Sequence, residues 1–122
     1  MITLKPTNDR EIVKEYYDKN GIAFNEFSNL LLATEKDNVL GYCLFDIQKV
    51  LTVHKIEPQN DLSLLDGVLR STLHVGCERG VFDAFYSGTA PENVFETLKF
   101  IKNKDDKSLN VDKLFKSCCD CK

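Results

Sequence analysis

The hydrophobic period changes within the stretch from Leu30 to Gly80, and that change constrains the fold more than any other feature. "NLLLATEKDNVLGYCLFDIQ" holds two apolar runs separated by the polar "EKDN", the pattern of a β-hairpin. In the second run, Leu40, Tyr42, Leu44 and Asp46 alternate with Gly41, Cys43, Phe45 and Ile47. Both sets are largely apolar, so this strand is predicted to be central and covered on both sides. "KVLTVHKIEP" is a further β-rich run, ended by Pro58. The period then switches: Leu62, Leu65, Val68 or Leu69, Thr72 and Val75 or Gly76 recur at helical spacing, with Asp61 as N-cap and Gly80 past the end.

The flanks complete the order. "ITLKPT" reads as a first strand, and Asn8 or Asp9 caps a helix through "REIVKEYYDKNG", with Ile12, Val13, Tyr16 and Tyr17 on one face. "VFDAFYSG" reads as another strand. "TAPENVFETLKFIKN" reads as a last helix, opened by a Thr89–Glu92 capping box and burying Val94, Phe95, Leu98 and Ile101 or Phe100. The predicted order is β-α-β-β-β-α-β-α, with one more short strand possible in "LNVDKLF". This is an α/β (α+β) class with a mixed, mostly antiparallel sheet and helices on both faces. The whole chain, 1–122, is expected to be a single domain, with a core over about 1–103 and an extension over about 104–122 that ends in a cysteine-rich tail.

Composition excludes some functions. A formal net charge of −3 gives no basic footprint for nucleic acid. No apolar run approaches the ~20 residues of a membrane helix. "MITLKPTNDR" lacks the apolar segment of a signal peptide, so the expected location is cytoplasmic. Five cysteines without a secretion signal argue against a disulfide framework. Cys43 and Cys77 lie in apolar patterns and read as core residues. Cys118, Cys119 and Cys121 in "KSCCDCK" are the candidate metal ligands, with Cys118 and Cys121 at C-x-x-C spacing. Three thiols leave a structural zinc one ligand short, so the tail is open to three readings: reduced thiols, a metal or dimer-bridging site, or a redox pair.

The order of elements, with "DNVLGYCLFDI", then "VLTVHKIEP", then a helix ending "ERG", resembles the GNAT acyltransferase superfamily over about residues 1–103. That resemblance implies transfer of an acyl group from acetyl-CoA or another acyl-CoA to an amine on a small molecule or peptide. The family motif Q/R-x-x-G-x-G/A uses glycine backbone and a helix N-terminus to hold a pyrophosphate. On that pattern Asn60, Ser63 and Leu65 replace all three motif residues, and Asp61 and Asp66 add negative charge offset only by Arg70. By resemblance the cofactor-binding positions are Lys55, Ile56, Asn60, Asp61, Leu62, Ser63, Leu64, Leu65 and Asn93. The family's proton-donating tyrosine, seven residues after Asn93, is Phe100 here, which has no proton to give. Tyr86 is the candidate substitute.

For the general base, Glu57 is the candidate by resemblance, with Asp46 and His54 as other titratable strand residues. The alternatives are a non-catalytic binding module on the same fold, with a homodimer as one candidate assembly, and a thiol- or metal-handling protein acting through the tail. His74, mid-helix, reads as structural or exposed.

Overall fold

A computed structural model of the chain describes residues 2–112. Its elements, among those residues, are β1 (Thr3–Pro6), α1 (Arg10–Lys19), β2 (Ser28–Glu35), β3 (Asn38–Ile47), β4 (Leu51–Glu57), α2 (Leu62–Glu78), β5 (Ala84–Tyr86), α3 (Glu92–Thr97), β6 (Ile101–Asn103) and β7 (Ser108–Leu109). The strands form one mixed sheet in the order β1-β2-β3-β4-β5-β7-β6. Among the described strands only β4 and β5 pair in parallel, as the α2 crossover between them requires.

The β2–β3 hairpin forms where the two apolar runs meet. Lys36 and Asp37 both adopt positive φ (49° and 71°), giving a two-residue turn whose twist suits the strands and which pairs Glu35 with Asn38. Alternation along β3 then divides the core in two. Cys43 and Phe45 face α2, with Leu31, Val53, Ile56, Leu65, Val68, Leu69 and Leu73. Leu44, paired with Leu30, faces the opposite way and meets Val13 and Tyr17 of α1. β3 is therefore covered on both sides, as its alternation predicts. Val94 and Phe95 of α3 join the α2-side cluster.

Each helix ends in the same pair of bonds. Ile22 N–H reaches the Tyr17 carbonyl and Gly21 N–H the Asp18 carbonyl; Val81 and Gly80 do the same at Gly76 and Cys77. The residue after the cap is left-handed in both cases, Gly21 at φ 69° and Gly80 at φ 79°. The third helix repeats the motif without glycine: Phe100 N–H donates to the Phe95 carbonyl, Lys99 N–H to that of Glu96, and Lys99 has φ 62°. This reverses the chain six residues into α3 and buries Phe100 completely.

The predicted last helix, 89–103, is therefore too long. Its final residues form β6, which pairs with β7. The capping box is absent as well: α3 starts after Pro91 with no side-chain cap, and the Thr89 hydroxyl donates to the His54 carbonyl at 3.0 Å. β7 lies between β5 and β6, and Leu109 and Val111 are buried, so the packed core runs on to Val111.

Candidate functional site

The fourth strand changes its partners along its length. Leu51, Thr52 and Val53 pair with Ala84, Phe85 and Tyr86 of β5. Two further bonds, Ser87 N–H to the Val53 carbonyl and the Thr89 hydroxyl to His54, close the contact. Beyond His54, among the described residues, Lys55, Ile56 and Glu57 have no strand partner on that edge. A bulge against β3 at His54 shifts the register, from Phe45↔Val53 to Leu44↔Lys55. Lys55 and Glu57 thereby share the α1 face with Leu44 and Tyr42, while Ile56 lies in the α2-side core.

On the α1 face the polar groups form a chain. The Tyr17 hydroxyl, wholly buried, lies 2.9 Å from the Phe45 carbonyl, 3.0 Å from that of Asn29 and 3.3 Å from Asp46 Oδ1. It also accepts from Asn29 N–H at 3.2 Å. Burial, and then the Asp46 charge, push its pKa far up. Asp46 Oδ2 in turn lies 2.8 Å from His54 Nε2, so that nitrogen carries the proton when Asp46 is ionised. Asp46 and His54, separate candidates in the sequence, are thus one pair, anchored to α1 through Tyr17.

Glu57 stands further along the same face. It lines a cavity of about 300 Å³ with Tyr16 and Lys19 of α1, Gly41 and Tyr42 of β3, and Pro58. Its Oε1 takes both neighbours, Lys55 Nζ at 3.4 Å and Gln59 Nε2 at 3.2 Å. Oε2 has no partner among the described residues. Tyr16 and Tyr42 meet edge to face, ring centroids 4.9 Å apart, and Lys19 Nζ sits 5.2 Å from the Tyr16 ring centre. Gly41 is required here: a Cβ would come within 2.6 Å of the Glu57 carbonyl oxygen, which is backbone and cannot swing away.

The Pro58–Asp61 turn leads to the start of α2. Asp61 caps the helix as predicted, accepting from Leu64 N–H at 3.1 Å, while Leu65 N–H bonds the Asp61 carbonyl. Asn60 and Ser63 are exposed, and Leu62 is 43% exposed. Leu65 is wholly buried against the sheet, so its side chain points away from the turn. As first residues of the helix, Leu62 and Ser63 have amides with no intrahelical acceptor. Arg70 is engaged elsewhere, bonded to Asp66 at 2.9 Å and stacked 5.3 Å from the Phe100 ring centre.

Tyr86 belongs to the other face. Its ring packs in the α2-side core beside Phe95, and its hydroxyl donates to Glu92 Oε2 at 2.7 Å. Desolvation and the Glu92 carboxylate raise its pKa to about 12. It therefore stands across the sheet from Glu57, and the two candidate catalytic groups are not brought together. Phe100 is core, and Asn93 is exposed on α3. Cys43 is buried, its thiol pushed up to about 12 by desolvation, as a core residue should be; Cys77 is partly buried in the same cluster, and His74 is an exposed partner of Glu78.

The cysteine tail, Cys118, Cys119 and Cys121, lies outside the described residues. Among the described residues no cluster of three or more His, Cys, Asp or Glu side chains is placed to hold a metal, and no helix is long and apolar enough to cross a membrane. No family model, no curated protein and no solved structure matches the chain. Tyr16, Tyr42 and Lys19 are the site residues that sequence reasoning missed. The two tyrosines were legible only as a helix face and a strand position, and nothing in the sequence aligns Tyr42 with Glu57.

Proposed function

We propose that the chain is a GNAT-like, acyltransferase-related protein that brings an acyl thioester to the free edge of β4 and passes the acyl group to an amine beside Glu57. The observation that carries this reading is the edge at Lys55–Glu57, unpaired among the described residues and adjoining a carboxylate that lines a cavity. An extended arm can pair with such an edge through backbone hydrogen bonds. The amides of Leu62 and Ser63 are donors for an anionic group, and the Leu65 side chain is buried against the sheet rather than over them. Glu57 would take the proton an ammonium must lose before its nitrogen attacks the thioester carbonyl. The C–N bond then forms as the C–S bond breaks; of the two protons the nitrogen gives up on the way from ammonium to amide, one goes to the departing thiolate and the other to solvent. Acetyl-CoA supplies the activated acyl group in this scheme.

One observation favours a second reading, a non-catalytic binding module. The Asp61 carboxylate already occupies the Leu64 amide and places a negative charge at the helix start, where a pyrophosphate would have to come. Calorimetric titration with acetyl-CoA and with CoA decides between the two. Saturable heat, strengthened in Asp61→Asn, supports acyl-CoA handling. Absence of heat and of any thermal shift at millimolar ligand leaves the binding module.

A further inference from the structure

The cavity between α1 and the ends of β3 and β4 carries opposite charges on two sides and aromatic rings between them. Glu57 is held through one carboxylate oxygen only, leaving Oε2 as an acceptor. Lys19, in the last turn of α1, makes no ion pair among the described residues, and its ammonium lies over the Tyr16 ring. Both charges line the same open space of about 300 Å³, a volume at the lower end of small-molecule sites. The Tyr16–Tyr42 pair supplies flat apolar surface.

We infer that this cavity binds a small zwitterion: a primary ammonium against Glu57 Oε2, a carboxylate against Lys19 Nζ, and an apolar body on Tyr16 and Tyr42. Three features select for this class. A simple amine leaves Lys19 unmatched. A simple acid meets the Glu57 charge. A peptide with an amidated or extended C-terminus lacks the carboxylate that would meet Lys19. The pair does not collapse onto itself because Glu57 is restrained on β4 by Lys55 and Gln59, and Lys19 is seated on Tyr16. The inference rests on the reading above for its place in a reaction, since the ammonium would be the acceptor, but binding needs no acyl donor.

The test uses the full chain and three isosteric probes: L-phenylalanine, phenethylamine without the carboxylate, and 3-phenylpropionate without the amine. Each is titrated by NMR, following the amides of Lys19, Gly41, Tyr42 and Glu57. Phenylalanine is expected to shift all four and to bind tighter than either probe by about fivefold, the worth of one half-exposed charge contact. Lys19→Gln should weaken phenylalanine and leave phenethylamine unchanged; Glu57→Gln should weaken both. Equal binding of phenylalanine and phenethylamine, equal loss of both in Lys19→Gln, or no shift at these amides would overturn the inference. Acetyl-CoA binding without phenylalanine binding removes this inference alone. Phenylalanine binding without acetyl-CoA binding removes the acyl-transfer reading and leaves the zwitterion site standing.

Discussion

Among the described residues, nineteen buried ones form one apolar cluster on the α2 side of the sheet; on the α1 side, four do, gathered around a tyrosine hydroxyl. The two sides are held by different forces. The α2 side is held by area: Leu65, Val68, Leu69 and Leu73 lie flat on β3 and β4. The α1 side is held by hydrogen bonds, through Tyr17 to two backbone carbonyls and Asp46, and Arg10 to the carbonyls of Ser28 and Asn25. The polar strand residues Asp46, His54, Lys55 and Glu57 all fall on this thinner side. An apolar face stabilises and excludes water, while a sparse one leaves room for a cavity with charged walls. The difference puts most of the buried apolar surface on one face and the charged strand residues on the other.

The sharpest way to break that comparison is to truncate a leucine on each face. Leu69→Ala on the α2 side should destabilise by about 3–5 kcal/mol and Leu30→Ala on the α1 side by about 2–3 kcal/mol, read from urea denaturation. Both leucines are wholly buried, so equal losses would show that the smaller cluster is packed as tightly as the larger.

Removing the two buried hydroxyls sharpens it at smaller scale. Tyr17→Phe removes the acceptor of the Asn29 N–H and the one hydroxyl proton shared among the Phe45 and Asn29 carbonyls and Asp46, and should lose about 1–3 kcal/mol at neutral pH. Tyr86→Phe should matter less there and show itself in alkali. The folded pKa of Tyr86 is raised from 10.0 to about 12. A raised value means the folded state keeps a proton the unfolded chain releases, so this stability is full below pH 10 and declines as pH rises from 10 towards 12. Phenylalanine at position 86 should flatten that part of the decline. The Tyr17 share, raised still higher, should remain in that variant. An unchanged alkaline slope in Tyr86→Phe would remove the Glu92 pairing from the account.

The smallest effect concerns the end of α3. Lys99 holds a left-handed backbone that glycine adopts without penalty. Lys99→Gly should stabilise by about 0.5 kcal/mol after the added chain entropy is counted, a rise of a few degrees in Tm. A fall would mean that the lysine side chain contributes more than its backbone costs.

Much of the fold could be read from local chemistry, and the exceptions share a cause. Asp9 and Asp61 cap their helices, Gly21 and Gly80 end them, and the polar "EKDN" turns the hairpin, because each signal acts within a few residues. The end of α3 was missed because its left-handed residue is a lysine, which carries no such signal. Phe100 goes into the core beneath Arg70, and that burial holds the turn. Glu57 was legible as a strand-end carboxylate. The Asp46–His54 pair, the separation of Tyr86 from Glu57, and the aromatic walls were not, because all three depend on strand register and on the His54 bulge.

By itself, then, the sequence determined the class of the fold, the central place of β3 and the capped start of α2. Period and capping are properties of neighbouring residues, and they survive without a partner. Only the tertiary structure decided that Leu65 turns inward, that β4 parts from β5 after His54, and that Lys19 and Glu57 face one cavity. Those outcomes depend on which strand edge meets which and on where α1 seats against Leu30 and Leu44, contacts between residues far apart in the chain.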